Sequence, residues 1–404
     1  MMPPTTSSLL RLDYRIDPPR GVPTNDFSEV GVLCTMKGMG LDAQPILSLD
    51  MAIVPVGGEN RRDDERLARV MGQMIESAPA HERLLIQGGF ETADADRVST
   101  IIKCRQSDLG TALLDGARTL EEQGRVDASA RLLLWVGPGM ILSTEPLLQA
   151  IDLLGELKAG VEVICTDSAA DMRLLTQICN LAGGEFIHDD SYGGLEKTFA
   201  RRLGILRNQR VASVRLRLQF QHQVKPVCFF RVQPSPLVVR ELRLNEHEEY
   251  ADIDLGPMSG ESDLPQYLIT ALIPRRPKGD LPLVKMSLMA LDADVNWSME
   301  VNQPAAPQTQ THWVVDGVVS SARERVEASL IIEEMAHAYT REDGGRIAML
   351  LDNLVRYYTI LGRDAVVEEL AMMKLEFLRG GLWGRANLNT IRRLASQNPG
   401  PDWR

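Results

Sequence analysis

The sequence predicts an α/β domain, with a mostly parallel sheet covered by helices on both faces, inserted into a β-sandwich and followed by a C-terminal helical bundle. Three observations lead there. Residues 48–204 alternate strand-like apolar runs with helix-like runs. Residues 1–47 and 205–301 show period-two alternation broken by Pro, Gly and Asp, and residues 318–404 carry apolar positions at helical spacing interrupted by glycine. A chain of 404 residues is also too long for one core, because single cores stop growing at roughly 250–300 residues.

Taken in order, Leu10, Leu12, Tyr14 and Ile16 alternate along the first stretch, and Val30, Val32, Cys34 and Met36 along the second, as half-buried strands do. These strands are expected to join the sandwich. Its remaining strands begin with Val214, Leu216, Leu218 and Phe220 and continue through "VCFFRV", "LVVRELRL", "YADIDL", "YLITALI" and "LVKMSLMAL". Between the two halves, "LDMAIVPV", "RLLIQGG", "RLLLWVG" and "VEVICT" are near-continuous apolar runs, the pattern of strands buried on both faces. The helix after the first of them carries Leu67, Val70, Met71, Met74 and Ile75 on one stripe, and a later helix ends at Gly183-Gly184, suited to a left-handed stop.

Residues 302–317, containing "NQPAAPQTQT", read as a linker. Beyond it, three helices and a fourth at 387–396 fit a small bundle. Met335, Met349, Met372 and Met373 read as core packing of that bundle, and Trp383 as either an exposed anchor or a cap on it.

Composition narrows the function. With 44% hydrophobic and 25% charged residues the chain is globular, and no apolar run reaches the roughly 18 residues a bilayer crossing needs. The N-terminus lacks the basic start and apolar stretch of a secretory signal, so a cytoplasmic protein without membrane contact is expected. Cys34, Cys104, Cys165, Cys179 and Cys228 show no CxxC spacing and read as reduced, mostly buried thiols. A net charge of −11 repels phosphate backbones, which argues against a nucleic-acid partner. The one basic stretch, with Lys197, Arg201, Arg202, Arg207, Arg210, Arg215 and Arg217, is expected to be a solvated or partner-facing surface.

Catalytic signatures are missing. The histidines are scattered without HExxH spacing, no GxSxG occurs, and "GGEN" followed by "RRDD" lacks the Lys-Ser/Thr ending that phosphate cradling requires. His188, Asp189 and Asp190 read as a surface loop, and "NEHEEY" around His247 as a solvated acidic turn. Neither an enzyme nor a cofactor is expected.

The order of strand, small-residue turn and amphipathic helix at 51–75, then "CRQSDLGTALLDGARTL", "RLLLWVGPG" and "GVEVICTDSAADMRLLTQICNLAGGEF", resembles a von Willebrand factor type A (VWA) domain. It is similar in particular to bacterial proteins in which that Rossmann-like domain sits within β-strands and is followed by helices. Members with an intact site hold a divalent cation at the C-terminal edge of the sheet, through an Asp-x-Ser-x-Ser turn, a Thr in a later loop and an Asp after a later strand. Oxygen donors of that kind suit a hard cation such as magnesium.

Laid on this chain, the family positions fall on Pro55, Gly57 and Glu59 in the turn, on Ser107, and on Gly137. Only Ser107 is a like-for-like replacement, while Glu59 and Asp108 offer carboxylates from displaced positions. Asp50, five residues earlier than Pro55, reads as preceding the strand. The resemblance therefore implies a degenerate metal site, with Ser107 as its remnant, on an interaction scaffold or adaptor of a bacterial multi-protein system. Other proteins are the implied partners, AAA+ ATPases of the MoxR type among them. The binding edge is expected at Gly57, Glu59, Ser107, Asp108, Gly137 and Pro138, because open α/β sheets bind ligands at the C-terminal ends of their strands. Two alternatives stand beside this reading: a magnesium- or calcium-dependent receptor whose shell uses Glu59, Ser107, Asp108 and water, and a hydrolase using the His188 region.

Overall fold

A strand that is apolar at every position must be covered on both sides, and this requirement organises the middle of the chain. A computed structural model describes residues 10–21, 27–38, 41–85, 94–125, 127–167, 170–188, 195–233, 237–242, 250–259, 265–274, 281–290, 296–303, 316–360, 362–380 and 383–396. Contacts divide the chain into two units, one of Asp42–Ala212 with Gly256–Gly260, the other of Met1–Leu41, Ser213–Leu255 and Glu261–Arg404. No helix among the described residues is long and apolar enough to cross a membrane.

The chain opens with strands β1 (Leu10–Gly21) and β2 (Phe27–Gly38) and then enters the α/β unit. There β3 (Ser48–Val56), α1 (Arg61–Glu76), β4 (Glu82–Leu85), α2 (Asp94–Lys103), α3 (Leu109–Gln123), β5 (Ala128–Val136), α4 (Thr144–Glu156), β6 (Gly160–Cys165), α5 (Met172–Leu181), β7 (Phe186–His188) and α6 (Leu195–Arg207) follow. The sheet order is β4-β3-β5-β6-β7, and each of its ladders is parallel. Alternate residues of each strand serve opposite cores. Val54, Leu132, Leu134, Val136 and Val163 pack against α3, α4 and α5, whereas Met51, Ile53, Leu133, Trp135 and Ile164 pack against α1, α2 and α6. Leu67, Val70, Met71 and Met74 are the buried stripe of α1, as its periodicity requires. Each fully buried aliphatic side chain contributes about 1.5–3 kcal/mol.

Helix α5 stops where Gly183 takes φ +69°, and a Cβ at Gly184 would collide with the Val161 backbone, so this glycine pair lets the chain turn tightly against β6. Asp50 corrects an expectation. It lies inside β3, fully buried, and not before the strand. Its carboxylate accepts from Arg125 through the backbone N–H at 2.6 Å and Nη2 at 2.7 Å, which offsets the cost of burying the charge. A strand reading that started at the apolar run missed it because this polar residue is neutralised by a partner distant in sequence.

The second unit contains two antiparallel sheets. Strands β8 (Val211–Phe220), β9 (Lys225–Gln233), β10 (Leu237–Glu241), β11 (Tyr250–Met258), β12 (Gln266–Pro274), β13 (Leu281–Met289) and β14 (Asn296–Gln303) complete them, in the orders β1-β2-β12-β9-β10 and β11-β8-β13-β14. Helices α7 (Gly317–Thr340), α8 (Gly344–Ile360), α9 (Asp364–Leu378) and α10 (Arg385–Ser396) follow. Of the stretch read as a linker, Asn302 and Gln303 belong to β14 and Gly317 begins α7; residues 304–315 lie outside the described residues.

Helix α7 serves two cores in succession. Val319, Ala322 and Val326 pack on Leu33, Phe230 and Leu268 of the first sheet, while Ile332, Met335 and Ala336 pack with α8, α9 and α10. Asp316 caps its start by accepting from Val318 N at 2.8 Å. Arg323, in the same first half, is buried between two acids. Its Nε lies 3.2 Å from Asp17 of β1, and its Nη1 pairs with Glu29 of β2. Gly31 makes the room, since a Cβ there would lie 2.7 Å from Arg323 Nη2.

Several further expectations are revised. Met335 is fully buried and Met373 packs on the helical core, but Met349 and Met372 are exposed, so core packing holds for only part of that set. Trp383 lies edge-on to Phe377 at 5.4 Å and caps the helices. The basic stretch is not a solvated or partner-facing surface as a whole: Arg202 forks onto Glu162 at 2.8 Å, Arg207 onto Glu82 at 2.5 Å and Arg217 onto Asp252 at 2.7 Å. Lys197, Arg201 and Arg215 remain exposed. Cys34, Cys165, Cys179 and Cys228 are buried free thiols and Cys104 is half-buried.

Replacing Arg323 with Met leaves Asp17 and Glu29 without their buried cation, and is expected to destabilise the chain by about 3–5 kcal/mol, read from urea unfolding. A loss below about 1 kcal/mol would place the pair among surface bridges.

Candidate functional site

The C-terminal edge of the parallel sheet is assembled mainly by backbone. Past the end of β3, Gly57 N donates to Gln106 O at 2.7 Å and Gly58 N to Pro138 O at 2.7 Å. Gln106 N donates to Pro55 O at 3.1 Å, Gly137 N to Val56 O at 2.8 Å and Thr166 N to Val136 O at 2.9 Å. Further out, Ile141 N donates to Ser107 O at 2.8 Å, and Leu109 N to Ile141 O at 2.9 Å. These bonds continue the ladder beyond the strands and lock the β3–α1, α2–α3 and β5–α4 loops together. The six residues expected at the edge, Gly57, Glu59, Ser107, Asp108, Gly137 and Pro138, all lie on these three loops.

Glycine is needed at two of these positions for different reasons. Gly57 has φ +120°, and a Cβ there would sit 2.7 Å from Gly137 O and 2.8 Å from Pro138 O. Gly137 has no such strain, but a Cβ on it would lie 2.5 Å from Asp63 Oδ2 and 3.3 Å from Arg105 Nη1.

The polar side chains divide into exposed and committed groups. Glu59 and Ser107 are exposed. Asp108 is the N-cap of α3, where its Oδ1 accepts from Thr111 N at 2.7 Å and Thr111 Oγ1 at 2.8 Å. Burial acts to raise its pKa, but hydrogen bonds from Thr111 and Ser143 outweigh that and hold the carboxyl below the usual aspartate value. Asn60 likewise caps α1, accepting from Arg62 N at 3.1 Å and Asp63 N at 3.3 Å.

Beneath the loops is a polar cluster that motif reading missed. Asp63, in the first turn of α1, is buried and accepts from Trp135 Nε1 at 3.1 Å, Thr166 Oγ1 at 2.7 Å and Arg105 Nη1 at 3.3 Å. Arg105 Nη2 also pairs with Asp64. A usable signal was present: a Trp near the end of the apolar run "LLLWV" needs a partner for its indole N–H, and "DD" in the first turn of α1 supplies one. On the β5–α4 loop, Ile141 and Leu142 are 58% and 44% exposed. Among the described residues no three His, Cys, Asp or Glu side chains gather closely enough to hold a metal ion. Of the "HDD" run, His188 ends β7, and Asp189 and Asp190 lie outside the described residues.

Gly137→Ala is expected to cost about 1–3 kcal/mol through overpacking against Asp63, measured by thermal unfolding. Asp108 gives a pH-dependent signature. Because its folded pKa is depressed, its contribution to stability is fully present above the ordinary aspartate pKa and is lost as pH falls through the lower folded value. Asp108→Asn keeps a capping oxygen but is expected to flatten that part of the acid limb of a Tm-versus-pH curve.

No protein-family model matches the sequence, and no curated protein does. Solved structures do. The chain is similar to the von Willebrand factor type A structure from Catenulispora acidiphila, with a TM-score of 0.68 and 14% identity over 91% of this chain and 90% of that one. It also aligns with the ArnB paralog VWA2 from Sulfolobus acidocaldarius, with a TM-score of 0.49 and 9% identity over 97% of this chain and 100% of that one. At such identity a likeness speaks for the fold alone. The parallel sheet with helices on both faces, together with the flanking antiparallel sheets and C-terminal helices, has the von Willebrand factor type A fold.

Proposed function

We propose that this chain is a non-enzymatic scaffold or adaptor that binds other proteins through the C-terminal edge of its parallel sheet without a divalent cation. It would work in the cytoplasm as part of a bacterial multi-protein system, with an AAA+ ATPase as one partner class. The observation that carries the reading is the pairing of Ile141 and Leu142, well exposed, with a backbone lattice that fixes their loop to Ser107 and Leu109. Apolar side chains held rigidly in solvent mark association surfaces, because removing them from water on binding is favourable and little ordering cost remains.

A hard cation needs several oxygen donors around one point. Pro55, Gly57 and Gly137 supply no side-chain oxygen, and Asp108 has its Oδ1 taken up by Thr111 at the N-terminus of α3, leaving one buried carboxylate oxygen. Glu59 and Ser107 are left as exposed, separate groups. The donor set does not fit the cation that the fold's intact sites take. Catalysis is equally poorly supported, since among the described residues of the edge no nucleophile is seen with an adjacent base.

Affinity purification of the tagged full chain from its native cell, with EDTA present throughout, tests this reading. Recovered partners are expected to be unaffected by EDTA and lost, by tenfold or so, when Ile141 and Leu142 are both replaced by Asp. Recovery that requires magnesium or calcium would favour the metal-dependent receptor, and recovery indifferent to the double replacement would move the binding surface elsewhere.

A further inference from the structure

Beneath the edge loops a buried cationic side chain is held between acids of α1. Arg105 sits on the α2–α3 loop two residues ahead of Ser107, yet its side chain is only 7% exposed because it turns inward. Its guanidinium reaches both the β3–α1 turn and the first turn of α1. Nη1 is 3.3 Å from Asp63 Oδ2 and 3.5 Å from Gly58 O, while Nη2 pairs with Asp64. The direction in which a side chain at Gly137 would grow leads straight into this pair, 2.5 Å from the Asp63 oxygen and 3.3 Å from the Arg105 nitrogen. Any side chain at 137 would therefore push the Asp63 carboxylate out of its present position beside Arg105.

We propose that the Arg105 guanidinium is the resident cation of this edge, tying the α2–α3 loop to the β3–α1 turn and the start of α1 in place of a divalent ion. The inference rests on the metal-independent reading of function given above. The charge balance supports it. Asp63 also accepts from Trp135 and Thr166, but both are neutral donors, so the positive charge that makes its burial tolerable comes from Arg105. A guanidinium presents its donors as a planar fork, so it supplies positive charge with fixed directions. An ion can be removed by a chelator; this cation cannot. The edge is thus permanently assembled, and its partner meets the exposed Glu59, Ser107, Ile141 and Leu142 with no open coordination position to complete.

The test compares Arg105→Lys with Arg105→Gln in the full chain, with Tm measured in EDTA and in millimolar manganese(II). Wild type is expected to show the same Tm in both. Arg105→Gln, which leaves two acids without a charge partner, is expected to lose on the order of 10 °C in EDTA. It should recover a large part of that in manganese, because Asp63 and Asp64 can then take the ion, and Asp63→Asn added to it should abolish the recovery. Arg105→Lys keeps the charge without the fork, and should fall less and gain nothing from the metal.

A Gln variant as stable as the Lys variant, or one indifferent to manganese, would overturn the inference by reducing Arg105 to packing and neutral hydrogen bonding. Should Arg105→Gln not fold, the Lys variant decides: folded and indifferent to metal supports the inference, unfolded overturns it. A wild-type Tm raised by manganese would instead overturn the metal-independent reading of function, so the two failures are distinguishable.

Discussion

Strand β5 sits in the middle of the parallel sheet with Leu132, Leu133, Leu134, Trp135 and Val136 all buried, and the α/β unit depends on covering both of its faces. A parallel strand cannot turn one face to water and still satisfy its neighbours, so helices must follow strands on alternating sides. The consequence reaches past the strands. Because β3, β5 and β6 run in the same direction, their C-terminal ends emerge together, and the next backbone groups of each find one another as hydrogen-bond partners. The edge loops are thereby held by main chain, which explains how Pro55, Gly57 and Gly137 preserve its shape without any side-chain oxygen.

Charge is handled in the same inward-looking way. The chain is acidic overall, but its buried acids have arginines brought to them from far along the sequence: Asp50 with Arg125, Asp63 with Arg105, Glu82 with Arg207, Glu162 with Arg202 and Asp17 with Arg323. Each pair joins segments distant in sequence. A buried pair of this kind adds little net stability over apolar packing, but losing one member is severe, so the pairs specify which elements meet more than they strengthen the meeting. Of the basic residues from 197 to 217, Arg202 and Arg207 are taken up by this arrangement, while Lys197, Arg201 and Arg215 stay exposed.

In the other unit α7 does what no short helix could. Its 24 residues give one turn-set to the sheet and another to the helices, so its apolar positions fall on more than one side and no single stripe dominates. The glycine at position 31 and the arginine at position 323 form a matched pair across that contact, a small residue on a strand admitting a large charged one from a helix.

The sequence by itself determined the element types and their order, because period-two and period-3.6 patterns reflect burial directly: α1's stripe, the sandwich alternation from Val214 to Leu218 and the Gly183-Gly184 stop all follow from local spacing. It also placed Gly57, Glu59, Ser107, Asp108, Gly137 and Pro138 on loops that meet at one edge, since parallel connectivity leaves those loops nowhere else to go. Only the tertiary structure decided what the side chains there do. That Asp50 lies within a strand and that Arg105 turns inward to Asp63 depend on partners 75 and 42 residues away, and no local pattern records them; the Asp108 cap, by contrast, is made to Thr111 three residues on. Periodicity encodes which side of an element faces a core; the pairing of charges is encoded only in how the chain comes back to itself.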